Sequence, residues 1–166
     1  VPHWAVSIGA TYKGIPVAGA IAHPPMREIF AAHLGGGATL NGKRIDVSSV
    51  RRFPEALLAT GFSYDEGEAL RRSIKMFQAF QEHGQTLRRP GAAALDLAYV
   101  ASGRFDGYWE SGLKPWDCAA GIVLVKEAGG RVTDYAGRPY EIGGYDILAC
   151  NGHLHEEMLR RLKPFA

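Results

Sequence analysis

Lys114-Pro115-Trp116-Asp117-Cys118-Ala119-Ala120-Gly121, running on to Val125-Lys126-Glu127-Ala128-Gly129-Gly130, is the stretch around which the chain is organised. Pro115 suits a first helical position, because its fixed φ is helical and its missing N–H would have no partner there anyway. Asp117 then falls in the first turn, where the helix dipole favours a carboxylate and free backbone N–H groups can be capped. The body is small and apolar, Ala119 to Val125, so the helix can pack closely on both sides. Gly129-Gly130 ends it, since glycine readily takes the left-handed C-cap. The stretch therefore reads as a buried helix with one acidic group at its mouth. Spacing alone leaves Asp117 either a plain cap, the commoner use, or a ligand.

Upstream, Pro90-Gly91 opens a second close-packing helix over 92–102, closed by Gly103, and 106–110 reads as an aromatic strand. Residues 56–60 form a short apolar run bounded by Pro54 and Gly61, the pattern of a buried strand. Leu70, Ile74, Phe77 and Phe80 recur at the spacing of one helical face, which predicts a helix from Glu66 to His83, stopped by Gly84, with Arg71, Arg72, Lys75 and Glu82 on its solvated side. Thr86 to Arg89 reads as a short strand. Downstream, 131–134 and 147–150 read as strands, and Asn151 caps a last helix over 153–162. Residues 4–12, 17–23, 28–33, 38–40 and 43–47 form an antiparallel meander, with Asn41-Gly42 as a hairpin turn. Gly35-Gly36-Gly37 does not read as a P-loop, because no Lys-Ser/Thr or helix start follows it. The order of elements predicts a layered α/β sandwich, with the meander in 1–50 and a C-terminal α/β part in 51–166 of a single region.

A chain of 166 residues can form one domain with a real core. A net charge of +2 is too small to argue for nucleic acid or an anionic membrane surface, and no apolar run is long enough to span a bilayer. No signal peptide is expected. Cys118 and Cys150 are far apart, lack metal-ligand spacing and sit in apolar segments, so two buried free thiols in a reducing cytoplasm are expected. The six histidines form no ligand pattern and read as surface or loop residues. Val1 to Ile8 enters a strand pattern almost at once, which fits a chain cut within a domain.

The run Trp-Asp-x-Ala-Ala-Gly, followed by Val125-x-Glu127-Ala128-Gly129-Gly130, resembles the C-terminal signature of the inositol monophosphatase family of magnesium-dependent, lithium-sensitive phosphatases. Gly35 to Gly42 resembles that family's glycine-rich hairpin, and the likeness extends from Ala5-Val6-Ser7-Ile8-Gly9 to the final helix. The resemblance implies an α-β-α-β-α sandwich, here incomplete at its N-terminus, and commonly a homodimer. It implies that Asp117 coordinates Mg²⁺, as suits a cation that takes oxygen ligands. It implies that Glu110 accepts hydrogen bonds from substrate hydroxyls, and that Arg88, Gly91 and Ala93 help position the alcohol. Where family members carry Ser or Thr, residue 92 is Ala, so any hydroxyl contact there is lost. Asp96 reads as structural.

The family's Asp-Pro-Ile/Leu-Asp-Gly-Thr motif, with further metal ligands and the threonine that helps activate water, does not occur in the chain. The resemblance places it some ten residues ahead of Ala5. No catalytic residue is therefore assigned, the chain alone is expected to be inactive, and the meander is expected to show an unprotected edge. The implied ligand is a small phosphate ester, myo-inositol 1-phosphate first. Fructose 1,6-bisphosphate, histidinol phosphate, NADP and adenosine 3′,5′-bisphosphate stay open, as does a non-catalytic binding module.

Overall fold

The computed structural model describes residues 2–62, 67–82 and 86–166. Its first sheet is an antiparallel meander in chain order: β1 (Val6–Tyr12), β2 (Ile15–His23), β3 (Glu28–His33), β4 (Gly37–Leu40) and β5 (Lys43–Ile45). Two of its hairpins turn through adjacent residues at positive φ, Lys13-Gly14 and Asn41-Gly42. That conformation matches the twist of paired strands and favours Asn-Gly. The Asn41 side chain also accepts from Ile29 N and donates to Arg27 O, tying its hairpin to the next one.

The glycine bend before β4 has an anion of its own. Gly35 N and Gly37 N donate to the two Glu127 carboxyl oxygens at 2.9 and 2.8 Å, holding that carboxyl below its usual range. The N–H groups that a phosphate could have used are thus already occupied by a side chain from the end of the organising helix.

The second sheet is mixed. It contains β6 (Leu57–Thr60), β7 (Thr86–Arg88), β8 (Gly107–Ser111), β9 (Arg131–Thr133) and β10 (Asp146–Cys150) in the order β7-β6-β8-β10-β9. β6 runs parallel to β7 and β8, and β10 runs antiparallel to β8 and β9. Helices α2 (Ala93–Ala101) and α3 (Pro115–Glu127) pack between the sheets, α3 against β1, β2 and β3 and α2 against β8 and β10. Helices α1 (Glu68–Gln81) and α4 (His155–Leu162) share a second core with Leu58, Trp109 and Leu148 of the second sheet. The layers are therefore sheet, helices, sheet, helices. This is the expected α/β sandwich, with four of its five layers among the described residues. β1 lies at a sheet edge, as expected.

Close packing of α3 on both sides has a direct cause. A Cβ at Gly19 would lie 2.5 Å from Ala120 Cα, and one at Gly121 would lie 2.5 Å from Leu97 Cβ. Neither contact is compatible with a side chain, so β2 and α2 approach α3 at backbone distance.

Three expectations are corrected. The buried face of α1 is Ser73, Met76 and Phe80, whereas Ile74 is exposed. Arg72, read as solvated, is half-buried. It pairs with both Asp146 carboxyl oxygens at 2.8 and 2.7 Å and donates to Ser111 Oγ, so its charge has the partners that partial burial requires. The helix ends placed at Glu66, His83 and Gly84 lie outside the described residues. Among the histidines, His23 and His155 are buried rather than on the surface. His23 Nδ1 is 3.1 Å from the Tyr99 hydroxyl, and His155 Nε2 is 2.9 Å from Thr133 Oγ1, so each ring has a polar partner that makes burial tolerable. Both cysteines are free and buried, and the Asn151 side chain accepts from Leu154 N at the start of α4, as expected.

Candidate active site

At the mouth of α3, Pro115 is the first helical residue and Asp117 sits in the first turn. Asp117 Oδ2 accepts the Lys114 N–H at 2.9 Å. Oδ1 makes no hydrogen bond among the described residues. Capping and ligation are therefore not exclusive: the cap fixes the direction of the carboxyl and leaves one oxygen over. That carboxyl lines a cavity of about 290 Å³ together with Ala5, Ser7, Ala92, Ala93, Ala94 and Trp116. Two helix starts and the inner side of the β1 segment thus converge there. α2 begins at Ala93, and its cap residue Ala92 makes no side-chain capping bond. Helix-start N–H groups with no side-chain cap favour a ligand oxygen.

Glu110 comes from β8, beside the α2 layer. A Cβ on residue 61 would overlap its carboxyl group, so Gly61 makes the space it occupies. The Tyr108 hydroxyl donates to Glu110 Oε2. Burial pushes the Glu110 carboxyl up to about 7 and the Asp117 charge adds to this, while Tyr108 and the Arg89 cation pull it down. Glu110 is thus poised between a form that only accepts hydrogen bonds and one that can also donate. Asp96 on α2 is 1% exposed, and neither of its oxygens makes a hydrogen bond of ordinary geometry among the described residues. Burial, then the Glu110 charge, push it up to about 8, while the Ala92 N–H and Arg89 oppose. Asp96 is therefore a neutral acid near pH 7.

The remaining expected residues divide. Ala93 lines the cavity. Gly91 adopts φ +92 with open space where a Cβ would point, which lets the chain turn from β7 into α2. Arg88 is exposed, and its Nη1 donates to the neighbouring Leu87 carbonyl at 3.0 Å. Arg89, its guanidinium 5.6 Å from the Phe62 ring centre, is the cation that bears on Glu110 and Asp96. Sequence reading did not single out Ser7, Tyr108 or Arg89. Strand alternation carries the signal for Ser7, the polar residue between Val6 and Ile8, whose Oγ is buried with no hydrogen-bond partner among the described residues.

Among the described residues, no three His, Cys, Asp or Glu side chains converge where a metal ion could be held. Magnesium takes about six oxygen ligands in near-octahedral geometry. The free Asp117 oxygen fits one corner of such a site, and these residues do not make up the rest.

The inositol monophosphatase family matches the chain over residues 1–164. The chain belongs to this family. It is 45% identical over 157 residues to an inositol-1-monophosphatase of Synechocystis sp., covering 95% of this chain and 55% of that protein. It is 43% identical over 165 residues to the Nus factor SuhB of Haemophilus influenzae, covering 99% of this chain and 61% of that protein. Among solved structures, the inositol monophosphatase of Anabaena (Nostoc) sp. superposes with a TM-score of 0.90 at 43% identity, covering 98% of this chain and 65% of that one. The chain thus spans between half and two thirds of the length of these relatives. Family membership supports a phosphatase, and the relatives' names divide between a phosphatase and a Nus factor.

Proposed function

We propose that this chain is the alcohol-binding and partly metal-binding portion of a magnesium-dependent phosphate monoester hydrolase, with myo-inositol 1-phosphate as substrate. The observation that carries the reading is Asp117, capped through one oxygen and free at the other, on a cavity shared with the start of α2. A polyol presents many hydroxyl donors, which an ionised Glu110 accepts. The first N–H groups of α2, near Ala93, hold a substrate oxygen, and Gly91 shapes the approach. Arg88, at the end of β7, is assigned a substrate contact by resemblance. Magnesium, when bound, would screen the phosphate charge and activate water, and Asp117 would contribute one ligand to it. The other ligands lie outside these residues, so the chain by itself is proposed to be inactive.

Lithium inhibition and a homodimeric state belong to the same proposal. Two buried free thiols support a reducing, cytoplasmic setting, and no helix among the described residues is long and apolar enough to cross a membrane. The low net charge supports a small phosphate ester rather than nucleic acid as ligand. A second reading, a non-catalytic binding module, is favoured by the incomplete ligand set and by relatives named Nus factor SuhB.

The deciding assay is phosphate release in the presence of Mg²⁺. It compares this chain with a polypeptide lengthened at its amino end to the span of its relatives. The proposal expects turnover only by the longer protein, fastest with inositol 1-phosphate among the phosphate esters tried. Turnover by neither would favour the binding module. Strong turnover by this chain alone would contradict the assignment of missing ligands.

A further inference from the structure

His3, just ahead of β1, and His23, at the end of β2, stand side by side against Tyr99 of α2. Their ring centres are 5.6 Å apart, with planes nearly perpendicular. The Tyr99 ring centre lies 6.2 Å from one and 6.3 Å from the other. His23 is 2% exposed. The Nε2 atoms of both rings are buried, and neither makes a hydrogen bond among the described residues. A buried polar atom ordinarily has a partner, and two orphaned ones on neighbouring rings call for an explanation.

The other nitrogen of His23 is accounted for. Nδ1 is 3.1 Å from the Tyr99 hydroxyl and 3.9 Å from Glu28 Oε2. With the proton on Nδ1, the Nε2 lone pair is free. Imidazoles that ligate metals are oriented in this way, one nitrogen bonded to an oxygen and the other on the ion. Arg104 grips the Glu28 carboxylate with two guanidinium nitrogens at 2.8 and 2.5 Å, so its own charge is balanced and does not repel a cation nearby.

The ring spacing suits a shared ion. With a metal–nitrogen bond of about 2.1 Å and a ring centre about 1.15 Å behind the nitrogen, two imidazoles at a tetrahedral angle have centres about 5.3 Å apart. The observed separation is close to this. Such an ion lies nearer to nitrogen than a hydrogen-bonded water does, so it fits where the buried Nε2 atoms meet no water.

We propose that His3 and His23 form a site for a late first-row divalent cation, Zn²⁺, Ni²⁺ or Cu²⁺, held through both Nε2 atoms. Imidazole suits these ions, whereas Mg²⁺ takes oxygen ligands. No third His, Cys, Asp or Glu among the described residues joins the pair, so binding is weaker than at four-ligand structural sites. Residues 2–5 lie ahead of the β1 ladder, so His3 can move outward without breaking a sheet hydrogen bond and admit the ion. Neither histidine lines the Asp117 cavity, and the inference does not rest on the phosphatase reading.

Calorimetric titration of the chain with Zn²⁺ or Ni²⁺ in excess Mg²⁺ tests it. The expected result is one ion per chain at micromolar concentrations. His3→Ala and His23→Ala are each expected to weaken binding at least tenfold. His33→Ala, His83→Ala and His153→Ala together, or Asp117→Asn, leave it unchanged. Should His23→Ala not fold, the paramagnetic resonance of Cu²⁺ on the wild-type chain decides. Coupling to two imidazole nitrogens supports the site, and fewer than two overturns it. No binding, displacement by Mg²⁺, or full binding by either folded histidine variant also overturns the proposal.

Discussion

The first sheet meets α3 with glycine and alanine, while the second sheet meets its outer helices with aromatic and long aliphatic side chains. Gly9 and Gly19 bring β1 and β2 to backbone distance from Ala119 and Ala120. On the other sheet, Trp109 stacks on Phe80 with ring centres 4.0 Å apart, amid Leu148 and Met158. The two modes give different things to the site. Tight backbone contact fixes the mouth of α3 against the β1 segment, so Ala5, Ser7 and Asp117 share a cavity. Bulky packing holds β8 rigid, so that Glu110 emerges from a wall containing Tyr108 and Trp109. The site lies at the seam between a spacing set by missing side chains and a platform set by large ones.

The largest effect that would break this contrast is steric. Gly19→Leu is expected to destabilise the fold by more than about 3 kcal/mol, because overpacking at a rigid contact forces the backbone apart. Chemical denaturation measures this, and a near-neutral result would mean that the β2–α3 contact is soft.

Next comes the proton buried on the α2 side of the seam. Asp96, ordinarily an acid near 3.8, is raised to about 8, so the folded protein holds a proton that the unfolded chain releases. Its stabilising contribution is complete below about pH 4 and falls as pH rises toward 8, at up to about 1.4 kcal/mol per pH unit. Asp96→Asn is expected to flatten the stability profile by about one proton across that window, read from denaturation at several pH values. An unchanged slope would show that Asp96 is ionised in the fold.

A smaller effect concerns the clamp at the far end of α3. Glu127→Gln is expected to cost about 1–3 kcal/mol, since its one amide oxygen can accept from only one of Gly35 N and Gly37 N, and the amide nitrogen in the other place is a donor facing a donor. Hydrogen exchange at those two amides should quicken. The smallest effect is expected at Ile74→Gln on the outer side of α1, within about 0.5 kcal/mol, as for exposed positions generally.

Much of this arrangement was legible from residue order. Pro115, Asp117 and Gly129 mark the helix by local rules of φ and capping, and Asn41-Gly42 marks its turn, because the forces involved are local. The partial burial of Arg72 was hidden, because its partner is Asp146, seventy-four residues away. The burial of His23 and His155 was hidden for the same reason, since Tyr99 and Thr133 supply the partners from distant elements. At the candidate site, Glu110 and Asp117 are assigned through family resemblance. The raised Asp96 was out of reach, because desolvation depends on what the other layers place around a side chain.

The central claim is that the uncapped oxygen of Asp117 belongs to a cation site of a phosphatase. Its most direct test is Mg²⁺-dependent phosphate release by the lengthened polypeptide, with and without Asp117→Asn. Asparagine preserves the cap to Lys114 N through its amide oxygen but removes the charge. The account predicts a fall in turnover of at least a hundredfold with an unchanged unfolding midpoint. Undiminished turnover at unaltered Mg²⁺ affinity would contradict it.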